Sequence, residues 1–590
     1  MSAVDAFDHR HAVVYQIYPR SFCDSNGDGV GDLRGITSKL DHLQALGVNV
    51  VWLSPIYASP QDDNGYDISD YRAIAPEFGT MADFDEMLAG MHARGIRLVM
   101  DLVVNHSSDE HAWFQQARQS RDNPYHDYYL WREPRIGADG QPQPPTNWEA
   151  AFNGSVWEWN EATGEYYLHM FSRKQPDLNW ENPQLRAEVY DVMRFWLNKG
   201  VDGFRMDVIN MISKPWAADG SLPDAPVVRP GFLQPGFAMT CNGPRLGEFL
   251  REMRREVLDH YSTLTVGEAP LATVAEGVAL THPETGALNM LFQFEHMDLD
   301  SVGGHVNGKW ALKPLDLRDL KHTMQRWQDA LDGQGWNSLY LSNHDQPRPV
   351  SRFGDDSAAH RVTSAKLLGT WLHGYQGTPY VYQGEELGLR NVAFPSIDDY
   401  QDIESRHYWE TAVHERGEDP AAVLRSLHAK SRDNARTPIP WDAAQPNAGF
   451  STGQPWLTLH PDWPNVNAAQ AVADPDSVFH HYRRLIALRR QHPILALGHS
   501  RQWLPEHHQL SMVERAWQGE RWLVVCNFSG QAVPVPVPHP LVTLSAELLL
   551  GNHPERRGRA DERHADEAPI DLSTLTCQPW EALLMRLHTA

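Results

Sequence analysis

The sequence predicts an α/β fold: a TIM-type (β/α)8 barrel with an insertion domain after its third strand and a C-terminal antiparallel β-sandwich. Three observations predict it. Eight short apolar runs recur along the 590 residues, segments of helical period separate them, and the runs end in carboxylates, histidines or arginines. Continuous hydrophobicity, as opposed to alternation, marks a parallel strand covered on both faces. Strand then helix, repeated eight times, closes into a barrel.

In chain order the runs begin at His11 (HAVVYQIYP), Val48 (VNVVWLSPI), Ile96 (IRLVMDLVVNH), Val201 (VDGFRMDVI), Leu264 (LTVGEA), Leu288 (LNMLFQFEH), Asn337 (NSLYLSNHDQPR) and Thr378 (TPYVYQGEE). Helical period appears over Ile36 to Leu46, Met81 to Arg94, Pro183 to Asn198, Leu246 to Leu258, Leu315 to Leu331 and Ser357 to Leu372. A last amphipathic helix, Val478 to Arg490, completes the ring. The stretch from His106 to Pro176 is rich in Pro and Gly (RIGADGQPQPPTN) and in aromatic clusters (WEWNEATGEYYLHMF), and reads as an insertion. From Arg501 the pattern changes to short strands (LSMVERAW, ERWLVVCNFS, VPVPVP, WEALLMRL), with the charged tract PERRGRADERHADE as an expected hairpin tip. The domain reading is therefore barrel over 1–105 and 177–500, insertion over 106–176 and sandwich over 501–590.

Composition narrows the function. A formal charge of −25 and a pI near 5.6 disfavour nucleic acid and anionic membranes as partners. No run approaches the 18 apolar residues of a membrane span, the N-terminus lacks a signal-peptide pattern, and the four cysteines (Cys23, Cys241, Cys526, Cys577) are scattered without a CxxC pair. The expectation is a cytoplasmic, monomeric protein acting on a small neutral molecule. The 21 tryptophans fit sugar stacking and a large core equally well.

The polar strand ends concentrate the chemistry: Asn105 and His106, Arg205 and Asp207, Glu268, His344 and Asp345. One such residue alone is more often half of a surface ion pair. Their recurrence at the carboxyl ends of barrel strands, where these folds build sites, points to one polar mouth. Arg205 and Asp207 are two apart on one strand and so share a face, which predicts an arginine that keeps the Asp207 carboxylate ionised. A separate motif, DSNGDGVGD, puts oxygens at every second position, Asp24, Asn26, Asp28, the Val30 carbonyl and Asp32. That spacing matches a structural calcium loop, though Gly35 replaces the closing Glu of an EF-hand. Magnesium is the other hard cation the pattern accommodates.

DLVVNH (Asp101 to His106), GFRMDVI (Gly203 to Ile209), VGEA (Val266 to Ala269) and SNHDQPR (Ser342 to Arg348) together resemble the conserved regions of the α-amylase family of glycoside hydrolases, over essentially the whole chain. GYDISDY (Gly65 to Tyr71), QPDLNWENP (Gln175 to Pro183), TPYVYQGEELG (Thr378 to Gly388) and RDNARTPIPWD (Arg432 to Asp442) are similar to its oligo-1,6-glucosidase and dextran glucosidase branch. The resemblance implies retaining hydrolysis with Asp207 as nucleophile, Glu268 as acid/base and Asp345 as the third carboxylate, gripping sugar hydroxyls. It implies sugar contacts by His106, His344, Phe171 and Gln175. It also implies a closed, exo-acting pocket whose far end is an Asp67–Arg432 pair, with Arg436 as the alternative arginine and Tyr66 as stacking platform.

Val208, after the nucleophile, matches relatives that prefer α-1,6 over α-1,4 bonds, and the same branch carries calcium at the Asp24 loop. The implied activity is release of glucose from non-reducing ends of isomalto-oligosaccharides. The alternatives are an α-1,4-preferring glucosidase and a glucosyl transferase or sucrose isomerase using the same intermediate. The non-catalytic transporter heavy chains of this family need a membrane helix, and the sequence offers none.

Overall fold

The structure, a computed structural model, describes residues 7–137, 140–303, 308–560 and 569–589. All eight apolar runs are parallel strands: β1 Val14–Ile17, β2 Val50–Leu53, β3 Arg97–Val103, β4 Gly203–Asp207, β5 Leu264–Glu268, β6 Met290–Phe292, β7 Ser338–Leu339 and β8 Thr378–Tyr382. Their order is β6-β5-β4-β3-β2-β1-β8-β7, and a parallel bridge from Leu291 to Asn337 closes the ring.

Side chains alternate across the barrel wall. Val14, Val50, Trp52, Val99, Val266, Met290 and Phe292 belong to the core inside the ring, whereas Tyr15, Val51, Leu53, Leu98, Met100, Phe204 and Met206 pack outward with the helices. The inner face changes character toward the carboxyl ends. Gln16, Asp101, Arg205 and Glu268 are buried polar residues on it, so the uppermost layer of the core is an electrostatic one.

The helices follow the sequence periods, with ends set by caps. Asn182 caps Pro183–Lys199 through the amides of Gln184 and Leu185, Pro183 occupies the first turn, and Gly200 closes the helix in the left-handed region. The predicted Ile36 to Leu46 helix is two, Leu33–Ser38 and Leu40–Leu46, broken at Lys39. A further helix, Val274–Thr281, is eight residues long, too short to establish a period; its signal was the Thr273–Glu276 capping box.

Two excursions from the barrel meet above the mouth. After β3 the chain builds an antiparallel sheet from Trp131–Arg132, Trp157–Asn160 and Glu165–Leu168, then returns where Asp177 bridges His106. The segment between Lys214 and Gly243 adds to this insertion: Gln234–Pro235 pairs in parallel with Trp148–Glu149, and the Asn147 side chain holds Ala225 through both its backbone groups.

Behind the barrel, β9 His499–Trp503, β10 Leu510–Trp517, β11 Glu520–Asn527, β12 Leu544–Gly551, β13 Ile570–Asp571 and β14 Ala582–Thr589 form an antiparallel sheet ordered β9-β10-β11-β14-β12-β13. A ribbon of Val533–Pro534 with Thr576–Cys577 lies beside it. One face of the sheet has its own core; the other, with Val513, Trp522 and Leu584, joins the barrel core. Residues 561–567 of the charged tract read as a hairpin tip lie outside the described residues.

Candidate active site

At the carboxyl end of the barrel lies a cavity of about 840 Å³ lined by, among others, Asp63, Tyr66, His106, Phe171, Asp207, Val208, Glu268, Asp345 and Arg432. Its floor is organised by Arg205. Strand register sets Arg205 of β4 directly opposite Asp101 of β3. Its guanidinium binds three carboxylates: Nη1 reaches Asp101 at 2.9 Å and Asp207 at 2.7 Å, and Nη2 reaches Glu268 at 2.6 Å. The ring of Trp52 lies 4.9 Å from the guanidinium carbon. Asp101 is further held by Trp52 Nε1 at 3.1 Å and the Tyr66 hydroxyl at 2.9 Å.

One cation shared by three carboxylates sets the electrostatics of the floor. Burial pushes the Asp207 carboxyl well above the ordinary range; Arg205 pulls it down, while Glu268 and Asp101 push it up. Asp101 is raised in the same way, with burial opposed by Arg205. Arg205 is thus the group that opposes burial and favours the ionised form of Asp207, and it divides that pull among three carboxylates.

Val208 caps this arrangement. The strand stops at Asp207, and Val208 takes φ 33, ψ 43, a left-handed conformation that a β-branched residue adopts only under strain. The turn aims its amide at Glu268 Oε2, 3.1 Å away, and its side chain lines the cavity. Strand propensity thus does not explain this valine.

Asp345 is set differently. Burial opposes its charge, yet its carboxyl is held well below the usual range. His344 is itself pushed down to about 3 by burial and is neutral at working pH. Gln16 donates to His344 Nδ1 at 2.8 Å, so the ring proton is on Nε2, which faces Asp345 Oδ2 at 3.2 Å. The charges that keep Asp345 ionised are Arg436 at 2.7 Å and Arg432 at 3.4 Å, helped by Arg205. His106, lowered to about 4 by burial, is also neutral and donates from Nε2 to the Tyr66 carbonyl at 3.0 Å. The ring of Tyr66 stacks on His344 at 5.1 Å and 5°.

The Alpha amylase, catalytic domain profile matches residues 16–498. An oligo-1,6-glucosidase of Parageobacillus thermoglucosidasius is 54% identical over 579 residues, 98% of this chain and 99% of that protein. Among solved structures, a trehalose-6-phosphate hydrolase of Bacillus licheniformis superposes with TM-score 0.89 at 43% identity, covering 98% of this chain and 100% of that one. An isomaltulose synthase of Protaminobacter rubrum gives TM-score 0.90 at 37% identity, with 98% and 99% covered.

The structure brings most of the sequence-predicted residues to one place, with one correction. Arg432 binds Asp402 at 2.6 Å and, on the cavity side, Asp63 at 2.9 Å, and not Asp67. Asp67 is fully buried and accepts the amides of Asp62 and Asp63 at 2.8 and 3.0 Å, so it shapes the turn that presents Asp63. Of the two arginines the sequence offered, both face Asp345, Arg436 at 2.7 Å and Arg432 at 3.4 Å, and Arg432 also reaches Asp63. Gln175 is buried behind the wall and binds Asp63 Oδ2 and the Tyr66 carbonyl. Asp101 and Gln16, both inside apolar runs, join the site through Arg205 and His344, though the sequence reading gave them no role. Asp67→Ala strands two amides and is expected to cost about 1–3 kcal/mol of unfolding free energy, read by denaturant titration. Asp67→Asn keeps one acceptor and turns an amide donor toward the second N–H, so it should recover only part of the loss; no loss in Asp67→Ala removes this role.

Proposed function

The chain belongs to the alpha-amylase family of glycoside hydrolases, and from that premise we propose a retaining, exo-acting α-glucosidase that cleaves α-1,6 bonds at the non-reducing ends of isomalto-oligosaccharides and releases glucose. The observation that carries the reading is Arg205 binding Asp207 through Nη1 and Glu268 through Nη2. Carboxylates gathered on one guanidinium suit the ~5–5.5 Å separation of retaining pairs better than the ~6.5–9.5 Å of inverting ones. Asp207 attacks the anomeric carbon as Glu268 gives its proton to the departing glycosidic oxygen. Glu268 then takes a proton from water, whose oxygen displaces Asp207 from the same carbon. Asp345, held ionised, bonds to sugar hydroxyls and faces the positive charge that develops on the ring.

The Asp63–Arg432 pair lines the cavity, and at the non-reducing end it would block a longer chain, which suits exo-action. Val208 and the identity with a protein named oligo-1,6-glucosidase support the linkage. The described residues contain no helix long and apolar enough to cross a membrane. The four unpaired cysteines fit a reducing, cytoplasmic setting, and a cavity built within a single chain fits a monomer.

For the Asp24 loop the reading is a structural calcium ion. Oxygen donors at alternate positions support it, with Asn26 and Asp28 exposed. Asp24 and Asp32 are already bound to backbone amides, those of Gly29 and Gly35 among them, so a cation must exchange some of these bonds for metal–oxygen bonds. Chelation is expected to lower the melting temperature by several degrees, with calcium restoring it more fully than magnesium; an unmoved melting temperature removes the ion.

The activity is tested by resolving products from isomaltose, panose, maltose and sucrose over time. Glucose mainly from isomaltose and panose is expected, and Asp207→Asn should lose several orders of magnitude in kcat while keeping its fold. New sucrose isomers or longer glucosides as main products would replace hydrolysis by transfer, and maltose as best substrate would overturn the linkage.

A further inference from the structure

His344 is completely buried, and three aromatic rings hold its plane. Tyr66 stacks on it at 5.1 Å and 5°, Tyr18 stacks at 6.0 Å and 15°, and Trp52 meets it edge-on at 5.8 Å and 84°. Rings packed in this way fix the orientation of an imidazole and leave one variable open, which of its two nitrogens carries the proton. Burial takes away the doubly protonated form. It pushes His344 down to about 3; Asp345 favours the cation, while Arg205, Arg436 and Arg432 disfavour it.

A neutral imidazole donates at one nitrogen and accepts at the other, and β1 with the residue after β2 makes the choice. Gln16 is 1% exposed, and its Nε2 lies 2.8 Å from His344 Nδ1 and 3.2 Å from Ser54 Oγ. Two amide hydrogens and two acceptors match one to one, so Nδ1 accepts and Nε2 keeps the proton. At the other edge of the ring Nε2 lies 3.2 Å from Asp345 Oδ2, is itself buried, and makes no hydrogen bond among the described residues. The reversed tautomer sets an N–H against the Gln16 amide and a lone pair against the Asp345 carboxylate, two repulsions from one misplaced proton.

We propose that Gln16 is a positioning residue that fixes His344 as the Nε2–H tautomer, so that the edge turned to Asp345 is always a donor. The carboxylate that grips the sugar then has two arginines and a neutral donor beside it. The role rests on the glycoside hydrolase reading, in which Asp345 holds the sugar, but not on its linkage.

Gln16→Glu reverses the demand, because an ionised carboxyl offers Nδ1 only acceptors. The introduced carboxyl and His344 keep the Nε2 donor only while they hold one extra proton between them. Its loss as pH rises leaves Nδ1–H on the carboxylate and a bare Nε2 facing Asp345. The test follows kcat/KM against pH with whichever neutral glucoside the wild type cleaves fastest. In Gln16→Glu the basic limb should move to lower pH by about one unit or more, and above it the rate should fall at least about tenfold below wild type. Gln16→Met, which fills the space without donor or acceptor, should lower kcat/KM and leave the limb in place. A basic limb unmoved or raised in Gln16→Glu overturns the proposal, as does Gln16→Met matching the wild-type rate or sharing the shifted limb. If Gln16→Glu does not fold, neutron diffraction from deuterium-exchanged crystals of the wild type decides without any substrate: deuterium on Nε2 alone supports the proposal, and deuterium on Nδ1 overturns it. A wild type that turns over no glucoside would count against the reading of the activity, and the neutron result would still decide the tautomer.

Discussion

A buried guanidinium surrounded by three carboxylates is the constraint around which this barrel is arranged. Taking Asp101, Asp207 and Glu268 out of water without a counter-ion would cost several kcal/mol for each charge. Arg205, 1% exposed, meets all three. It does so because parallel register places it opposite Asp101 and because residues 205 and 207 share the inward face of β4. The aromatic groups around it, Trp52 and Tyr66, supply both ring faces and hydrogen bonds to Asp101. The positions of Asp207 and Glu268 are consequences of that shared cation.

The second half of the site is held by the chain that follows β8. Arg348 is fully buried and donates to the carbonyls of Gln383, Asn434 and Ala435, tying the end of β8 to the turn that carries Arg432 and Arg436. Those two arginines then set Asp63 and Asp345. Asp207 and Glu268 share one cation with Asp101, whereas Asp345 sits beside two, Arg436 and Arg432. Residues of the same type thus acquire different charge states from different neighbours.

The eight strands were legible because doubly covered parallel strands are continuously apolar, and the strand-end residues because barrels place chemistry there. Legibility failed where residue type alone had to choose a direction. Asp63 and Asp67 lie four apart in one short loop, and only the fold shows that one faces the cavity while the other caps the turn. Asp101 was hidden because it interrupts an apolar run, where a lone carboxylate gives no hint that its cross-strand neighbour is an arginine. The wall formed by residues 214–243 depends on long-range pairing with Trp148–Glu149, which no local pattern encodes.

The most direct measurement is the pH dependence of kcat/KM in the wild type and in Asp101→Asn. The negative charge of Asp101 helps to raise the Asp207 carboxyl and takes part of Arg205. Neutralising it lowers the pKa of Asp207, so, with Asp207 as the proposed nucleophile, the acidic limb should move downward. An acidic limb that stays in place or moves upward would contradict a site in which three carboxylates share one arginine.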